Sequence, residues 1–338
     1  MAGNLDLDLD PLAAGDLDFV LEKQHQVVSA AQALAGGITE EQIRWKVKSG
    51  RWQRLYRGTY ATFTGKLSRE ARLWSVVLRA GGRSALSHET AAELLGFGPA
   101  GSDRIHVTVP VQVNPERGAD FNDVAVHRNS NWLGYDEPLL ELPTTPIIMT
   151  VLDLVESAAT LDDSYGWLSR AVTNRDLPRD LIAAQLERRK KFARRTWLTD
   201  ALTDIGDGIH FPLERRWARD VERAHGLPRA TRQAWLNGPD GARRLDNYYE
   251  PFHLCVELDG AAFHRSEDLD AGRRRDNEIL IAADAKTLRY GFKEVANHPC
   301  DQAEQFARAL IKQGWAASTL KPCQPGCRVA PLAGKPPH

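Results

Sequence analysis

The sequence predicts an α/β multidomain chain with three structured parts: a small helical module ending in a hairpin, a mixed α/β region, and a C-terminal α-β-β-β-α-β domain. Three observations carry this. At 338 residues the chain exceeds what one hydrophobic core usually organises. Residues 21–66 alternate helix-forming and ribbon-forming stretches punctuated by glycines. Residues 244–260 carry two strand-like runs separated by Glu250-Pro251, followed by a helix-length segment and a further strand-like run. The expected divisions are an acidic tail (1–20), the helical module (21–66), the mixed region (67–205), the C-terminal domain (210–316) and a disordered proline-rich tail (317–338).

Composition bounds the function. With 26% charged and 42% hydrophobic residues and a net charge of -1, the chain reads as soluble and globular. No apolar run is long enough to span a bilayer, so no membrane partner is expected. The aspartate-rich start lacks the basic and apolar parts of a signal peptide. Four scattered cysteines, Cys255, Cys300, Cys323 and Cys327, point to a reducing, cytoplasmic setting.

The acidic leader runs into a first helix near Asp16–Gln24. Ser29–Ala35 is a short Ala-rich helix that stops at Gly36-Gly37. Thr39 caps a second helix, with Gln42 completing a capping box, and Gly50 ends it. Trp52, Leu55, Tyr56, Thr59, Tyr60 and Phe63 then read as a two-stranded ribbon turning at Gly58. This is the order of a winged helix-turn-helix. From Thr39 to Lys66, Arg44, Lys46, Lys48, Arg51, Arg54, Arg57 and Lys66 outnumber the two acids. A helix and wing so charged suit a DNA groove and its phosphates. The competing reading is a solvated basic face on a packing domain.

In the mixed region, helices are expected at Ser68–Ala80, His88–Leu95, Pro146–Ala159, Ser164–Thr173 and Arg179–Lys191, with strands at Ile105–Val109 and Val124–His127. His88 with Glu89, and the single histidines His106 and His127, read as packing residues rather than ligands. Residues 188–195 hold six cations, which suit either a solvated helix end or a phosphate-contacting hinge. A glycine-punctuated loop at Asp204–Gly208 is expected to close the region.

The run Q-V-V-S-A-A-Q-A-L-A-G-G-I-T-E-E-Q-I-R-W-K-V-K-S-G-R-W-Q-R-L-Y-R-G-T-Y resembles the N-terminal domain of AbiEi-family antitoxins of type IV toxin–antitoxin systems. L-S-H-E-T-A-A-E-L-L-G-F, I-H-V-T-V-P and L-P-T-T-P-I-I-M-T-V-L-D-L-V extend the resemblance over about residues 20–190. It implies promoter binding, repression and a cognate toxin as partner. Met149 stands where that family's last motif usually carries Arg.

The C-terminal domain is expected to open with a helix from Pro212 to Ala224 and a strand at Arg232–Leu236. Leu245–Tyr249 and Leu254–Leu258 form the next two strands. A helix over Glu267–Ala283, a strand at Lys286–Tyr290 and a helix over Gln302–Trp315 complete it. Alternation puts Glu257 and Asp259 on one side of their strand, and Asp246 on the neighbouring strand is placed to face them. Carboxylates gathered among apolar strands repel one another and lose solvation. A divalent cation resolves that conflict, and a hydrolytic site follows. In the tail, Cys323 and Cys327 have a metal-compatible spacing, but two ligands fall short of the four a zinc ion takes.

L-E-R-R, L-D-N-Y-Y, V-E-L-D-G-A-A-F-H, R-R-R-D-N and T-L-R-Y-G, in that order, resemble the domain related to very-short-patch-repair (Vsr-like) endonucleases of the PD-(D/E)XK superfamily. The resemblance covers about residues 210–316 and implies a restriction-endonuclease-like domain. By that resemblance Glu214 is the acid on the first helix, Asp246 the central metal-binding acid and Glu257 the acid of the (D/E)XK element. His264 matches a histidine of repair-type relatives. The superfamily lysine is replaced by Asp259, which by the resemblance joins Asp246 and Glu257 as a metal ligand, with His264 or Arg275 supplying the lost proton or cationic role. The ion implied is Mg2+ (or Mn2+), holding water against a DNA phosphodiester. The expected function is therefore Mg2+-dependent DNA cleavage. An antitoxin or repressor with an inactive nuclease-like scaffold, and a repair nuclease for mismatches or modified bases, stand as alternatives.

Overall fold

The computed structural model describes residues 17–81, 83–102, 104–113, 115, 121–129, 141–238, 241–259 and 284–333. The chain divides into two compact units, Met1–Arg195 and Thr196–His338.

The first unit begins with α1 (Leu17–Lys23), β1 (Val27–Ser29), α2 (Ala30–Ala35), α3 (Glu40–Lys48), β2 (Gln53–Tyr56) and β3 (Thr59–Ala61). The three strands form one sheet in the order β1-β3-β2, all antiparallel. Both short helices start on reciprocal caps. Ser29 accepts from Gln32 N–H and Thr39 accepts from Gln42 N–H, while each glutamine side chain accepts the cap's own N–H. These caps satisfy donors that a short helix leaves orphaned. Gly58, at φ 73, turns the ribbon where a side chain would be strained. Val28, Ala33, Ile43 and Trp52 form the buried core. The order of helices and ribbon is that of a winged helix-turn-helix.

The rest of the unit holds α4 (Arg69–Ala80), β4 (Ala85–Leu86), α5 (His88–Leu94), β5 (Ile105–Pro110), β6 (Val124–Asn129), α6 (Ile147–Ser157), α7 (Leu161–Arg175) and α8 (Arg179–Arg188). β5 pairs parallel with β6 and antiparallel with β4. The cations of 188–195 are not simply solvated. Arg189 pairs with Asp153 at 2.6 Å and Glu156 at 3.8 Å. Arg194 donates to the carbonyls of Val155 and Ala158 and to Ser164. Arg195 donates to the carbonyls of Leu186 and Arg189. Three arginines of the run thus close the ends of neighbouring helices, which leaves Arg188, Lys190 and Lys191 as its exposed cations.

The second unit contains most of α9 (Arg195–Gly206), then α10 (Pro212–Arg216), a π-helical turn (Trp217–Arg223), β7 (Thr231–Gly238), β8 (Gly241–Tyr249), β9 (Leu254–Asp259), β10 (Lys286–Gly291), α11 (Phe292–Asn297) and α12 (Pro299–Lys312). The glycine-punctuated stretch at 204–208 is helical as far as Gly206, because Asp204 is buried against Arg215 (2.8 Å) and Arg223. The helix expected over Pro212–Ala224 widens into π geometry, with Ala224 N–H bonding the Arg219 carbonyl.

The sheet order is β10-β9-β8-β7, with β7, β8 and β9 antiparallel and β10 parallel to β9. Its core face packs Tyr249, Leu254, Val256 and Tyr290 against Trp217 and Phe306. The Trp217 and Tyr290 rings stack 4.7 Å apart. Arg232 pairs with Glu222 and donates to Asn247, and Tyr249 donates to Glu222. The tail is ordered to Ala333 rather than disordered. Trp315, Leu320, Cys327 and Val329 are buried in the same core, and that apolar burial outweighs the extended, proline-rich composition.

Candidate functional site

Two surfaces carry the sequence-derived site residues. The first is the basic face of α3 and the β2–β3 ribbon. Arg44, Lys48, Arg51, Arg54 and Arg57 are exposed there. Arg44 reaches back to Glu40 at 3.5 Å. Lys46 is half-buried over the Trp52 ring, so its charge is the least available of the set. Trp45 is 51% exposed on α3, with the Arg51 guanidinium 4.6 Å from its ring centre. Guanidiniums interleaved with an exposed indole suit an anionic, aromatic ligand.

The second surface is the face of the β7–β10 sheet opposite its core. The β8–β9 ladder pairs Tyr249 with Leu254, Tyr248 with Cys255 and Asn247 with Val256. Beyond it the alternation of β8 breaks, since Leu245 packs on the same side as Tyr248 and Cys255. The regular pairing ends there, and Leu258 N–H donates instead to Asp246 Oδ2 at 3.3 Å. Glu257 is 2% exposed, with the Cys255 thiol 3.5 Å from Oε1. Gln233, at φ 52, lies between the Arg232–Asn247 and Ala234–Leu245 pairs, and so opposite Asp246.

Glu214 stands on α10, and its neighbours Leu213 and Trp217 pack in the core. Its Oε2 accepts the N–H groups of His210 (2.7 Å) and Phe211 (3.4 Å), and its Oε1 accepts from Gln233 at 2.9 Å. Burial pushes its carboxyl up to about 7, and the charge of Asp246 adds to the rise. Glu214 and Asp246 are therefore near enough for their charges to interact, but among the described residues they and Glu257 form no set of donor atoms within 4.8 Å of one another. Asp259 shares the Glu257 side of β9, but its carboxylate is paired with Arg289 at 3.0 Å. His264 and Arg275, with Asp276 and the helix expected over Glu267–Ala283, lie outside the described residues.

Arg289 is the residue that sequence reasoning passed over. The parallel register places it beside Glu257, which fixes its side of the sheet. The signal was present in T-L-R-Y-G, where a cation alternates with the core-facing Leu288 and Tyr290.

Residues 16–62 match the family described as transcriptional regulator, AbiEi antitoxin. The match spans α1 to β3, the winged module with its basic face. No curated protein matches the chain. Among the described residues no helix is long and apolar enough to cross a membrane.

Beyond the AbiEi-type module, the first unit gathers three histidines that look unrelated along the sequence. His106 Nδ1 lies 3.0 Å from His127 Nε2, and the His88 ring stacks on His127 at 3.6 Å. Each offers a ring nitrogen within 4.8 Å of the others, a donor set suited to a transition metal. Burial, and then the neighbouring rings, hold His88 down to about 2. Burial and His106 hold His127 down to about 4. Both are therefore neutral at physiological pH. Parallel pairing of β5 with β6 and the turn into α5 converge on the cluster, and no spacing rule along the chain foretells that.

Glu214 yields a pH prediction. Its folded value near 7 lies above the ordinary 4.5, so the folded protein holds the extra proton between these values. Stability contributed by this group is present at low pH and is lost as pH rises through about 4.5 to 7. Glu214→Gln removes that loss. The variant is expected to gain on the order of 3 kcal/mol at pH 8 and little at pH 5. Thermal melts at the two pH values check this, and an equal gain at both would refute it.

Proposed function

We propose that this chain is a DNA-binding transcriptional regulator of the AbiEi antitoxin type whose second unit carries a divalent-cation site of the PD-(D/E)XK nuclease kind. The observation that carries the DNA-binding part is the exposed basic face of the winged module, which coincides with the family match over residues 16–62. The same match supports a cognate toxin as a second partner. The family likeness is proposed to continue through the mixed region to about residue 190.

For the second unit, the support is the charge of Asp246 acting on the buried Glu214, with Glu257 buried on the next strand. An all-oxygen donor set fits Mg2+ or Mn2+. A cation offsets the burial and the Asp246 charge that together hold Glu214 near 7. Asp246 and Glu257 would hold the ion, with Asp259 adjacent. The ion would supply charge neutralisation at a phosphodiester and lower the pKa of water. With the ion bound Glu214 would carry its charge, and Gln233 would fix its orientation. Arg289 neutralises Asp259 and presents a guanidinium beside the acids. His264 is proposed as the proton acceptor and Arg275 as an added cation.

A second reading has its own support. The position of the superfamily lysine is Asp259, and its charge is consumed by Arg289. An antitoxin or repressor that retains the fold as a binding scaffold is consistent with that pair.

The test of the regulator reading is salt-dependent DNA binding, followed by fluorescence anisotropy. The triple reversal Arg44→Glu, Arg51→Glu, Arg54→Glu is expected to lower the slope of log K against log salt by about 3, near 0.9 per phosphate contact. An unchanged slope with intact fold sinks the winged module as the DNA-binding surface.

A further inference from the structure

Four donor side chains of the second unit, well apart in sequence, meet in space. His225 follows the π-helical turn, Cys300 stands in the first turn of α12, and Cys323 and Cys327 lie in the C-terminal segment. Each presents one ligand atom, and all four atoms lie within 4.8 Å of one another. The sulfurs of Cys300 and Cys323 are 3.4 Å apart, and those of Cys323 and Cys327 are 3.7 Å apart. Tetrahedral zinc with bonds of about 2.3 Å sets its sulfurs roughly 3.8 Å apart. A disulfide sets them at about 2.05 Å. The spacing is that of metal-bridged thiolates.

The histidine is prepared in the same sense. His225 Nδ1 donates to the Val221 carbonyl at 2.9 Å. A carbonyl only accepts, so the proton sits on Nδ1 and Nε2 carries a lone pair. That Nε2 is buried, on a residue 0% exposed, and has no hydrogen-bond partner among the described residues. A buried acceptor left without a partner is costly. An ion at the thiols satisfies it, and a backbone carbonyl on the far nitrogen is the usual orienting partner of a metal-bound histidine.

We infer that His225, Cys300, Cys323 and Cys327 form a structural zinc site. Three sulfurs and one nitrogen make a soft donor set that selects Zn2+ over the hard Mg2+ of an all-oxygen site. Four protein ligands close the coordination sphere and leave no position for substrate.

The site's role follows from what it joins. The C-terminal segment crosses the end of the π-helical turn, where Lys321 N–H donates to the His225 carbonyl at 3.0 Å and Thr319 Oγ1 to the Gly226 carbonyl at 2.7 Å. Gly226 is at φ 67, and a Cβ there would overlap the Thr319 carbonyl. The crossing demands glycine. Downstream, Val329 is buried in the same core as Trp217 and Phe306. The ion fastens this segment over that core, so its binding free energy is also folding free energy.

The experiment uses the full chain, reduced and purified with zinc, then stripped and titrated with Co2+. One equivalent is expected at this site, with an intense thiolate-to-cobalt charge-transfer band and tetrahedral d–d absorption. The His88–His106–His127 cluster contains no sulfur and cannot produce that band. Cys323→Ser is expected to weaken the band by about a third, and His225→Ala to lower affinity by more than about tenfold. Zinc removal should lower the melting temperature of the wild-type protein and lower that of Cys323→Ser by less. A reduced wild-type protein that shows no sulfur-to-cobalt band overturns the site. So does mass spectrometry that finds two of the three cysteines joined as a disulfide in zinc-replete protein.

Discussion

Asp246→Asn and Glu257→Gln are each expected to reduce Mg2+-dependent strand scission by roughly a thousandfold. The reason is electrostatic. Both substitutions keep the shape of the side chain and remove the charge that would hold the cation, and losing charge stabilisation at a reacting centre costs about 10² to 10³ in rate. The amides are preferable to alanine here. An amide oxygen at position 246 can still accept from Leu258 N–H, as the native carboxylate does at 3.3 Å. The isosteric amide at position 257 leaves no cavity where the native side chain is 2% exposed. DNA affinity should stay within about twofold, since the basic winged module is untouched. The measurement is nicking of supercoiled plasmid with Mg2+, with Mn2+ and with chelator, beside anisotropy on the same preparations. Equal cleavage by wild type and both variants removes this face from the chemistry. A wild type that binds DNA and never cleaves it selects the scaffold reading instead.

Arg232→Met is expected to be the most damaging single substitution for stability in the second unit. Arg232 pairs with Glu222, which is 1% exposed, and donates to Asn247. Burial holds the Glu222 carboxyl above its usual range, while Arg232 and the Tyr249 hydroxyl pull it back down. Removing the guanidinium strands a buried carboxylate, which costs about 4 kcal/mol. For a unit of this size that is roughly 10–15 °C in melting temperature. The sign of the pH dependence is fixed by the same pair. Without Arg232 the carboxyl rises further, so the variant's defect is smallest in acid, where Glu222 carries a proton, and grows as pH rises. Adding Glu222→Gln should recover most of the loss, because the stranded charge is gone. A double variant no more stable than the single one would show that the defect lies in packing rather than in the unpaired charge.

The winged module was legible along the chain because its signals are local. Thr39 and Gln42 cap α3 three residues apart, Gly58 turns the ribbon, and Trp52 and Ile43 fall at core positions. The side shared by Glu257 and Asp259 was legible for a similar reason, since period-two alternation sets both beside Arg289. The tail was misread because proline content argues for disorder only when no apolar surface awaits the segment. Leu320 and Val329 find one. The basic run at 188–195 was misread because its neutralising groups, Asp153 and Glu156 among them, stand on α6, well before it in sequence.

By itself, then, the sequence determined the elements, their order and the residue types available to each, because helix caps, turn glycines and strand alternation act over a few residues. Only the tertiary structure decided which distant side chains became neighbours. It set Arg289 on Asp259, stacked His88 on His127, brought His225 to three cysteines, and raised Glu214 by burying it beside Asp246. Those outcomes depend on packing and on water excluded from the interior, and neither is encoded at any single position of the chain.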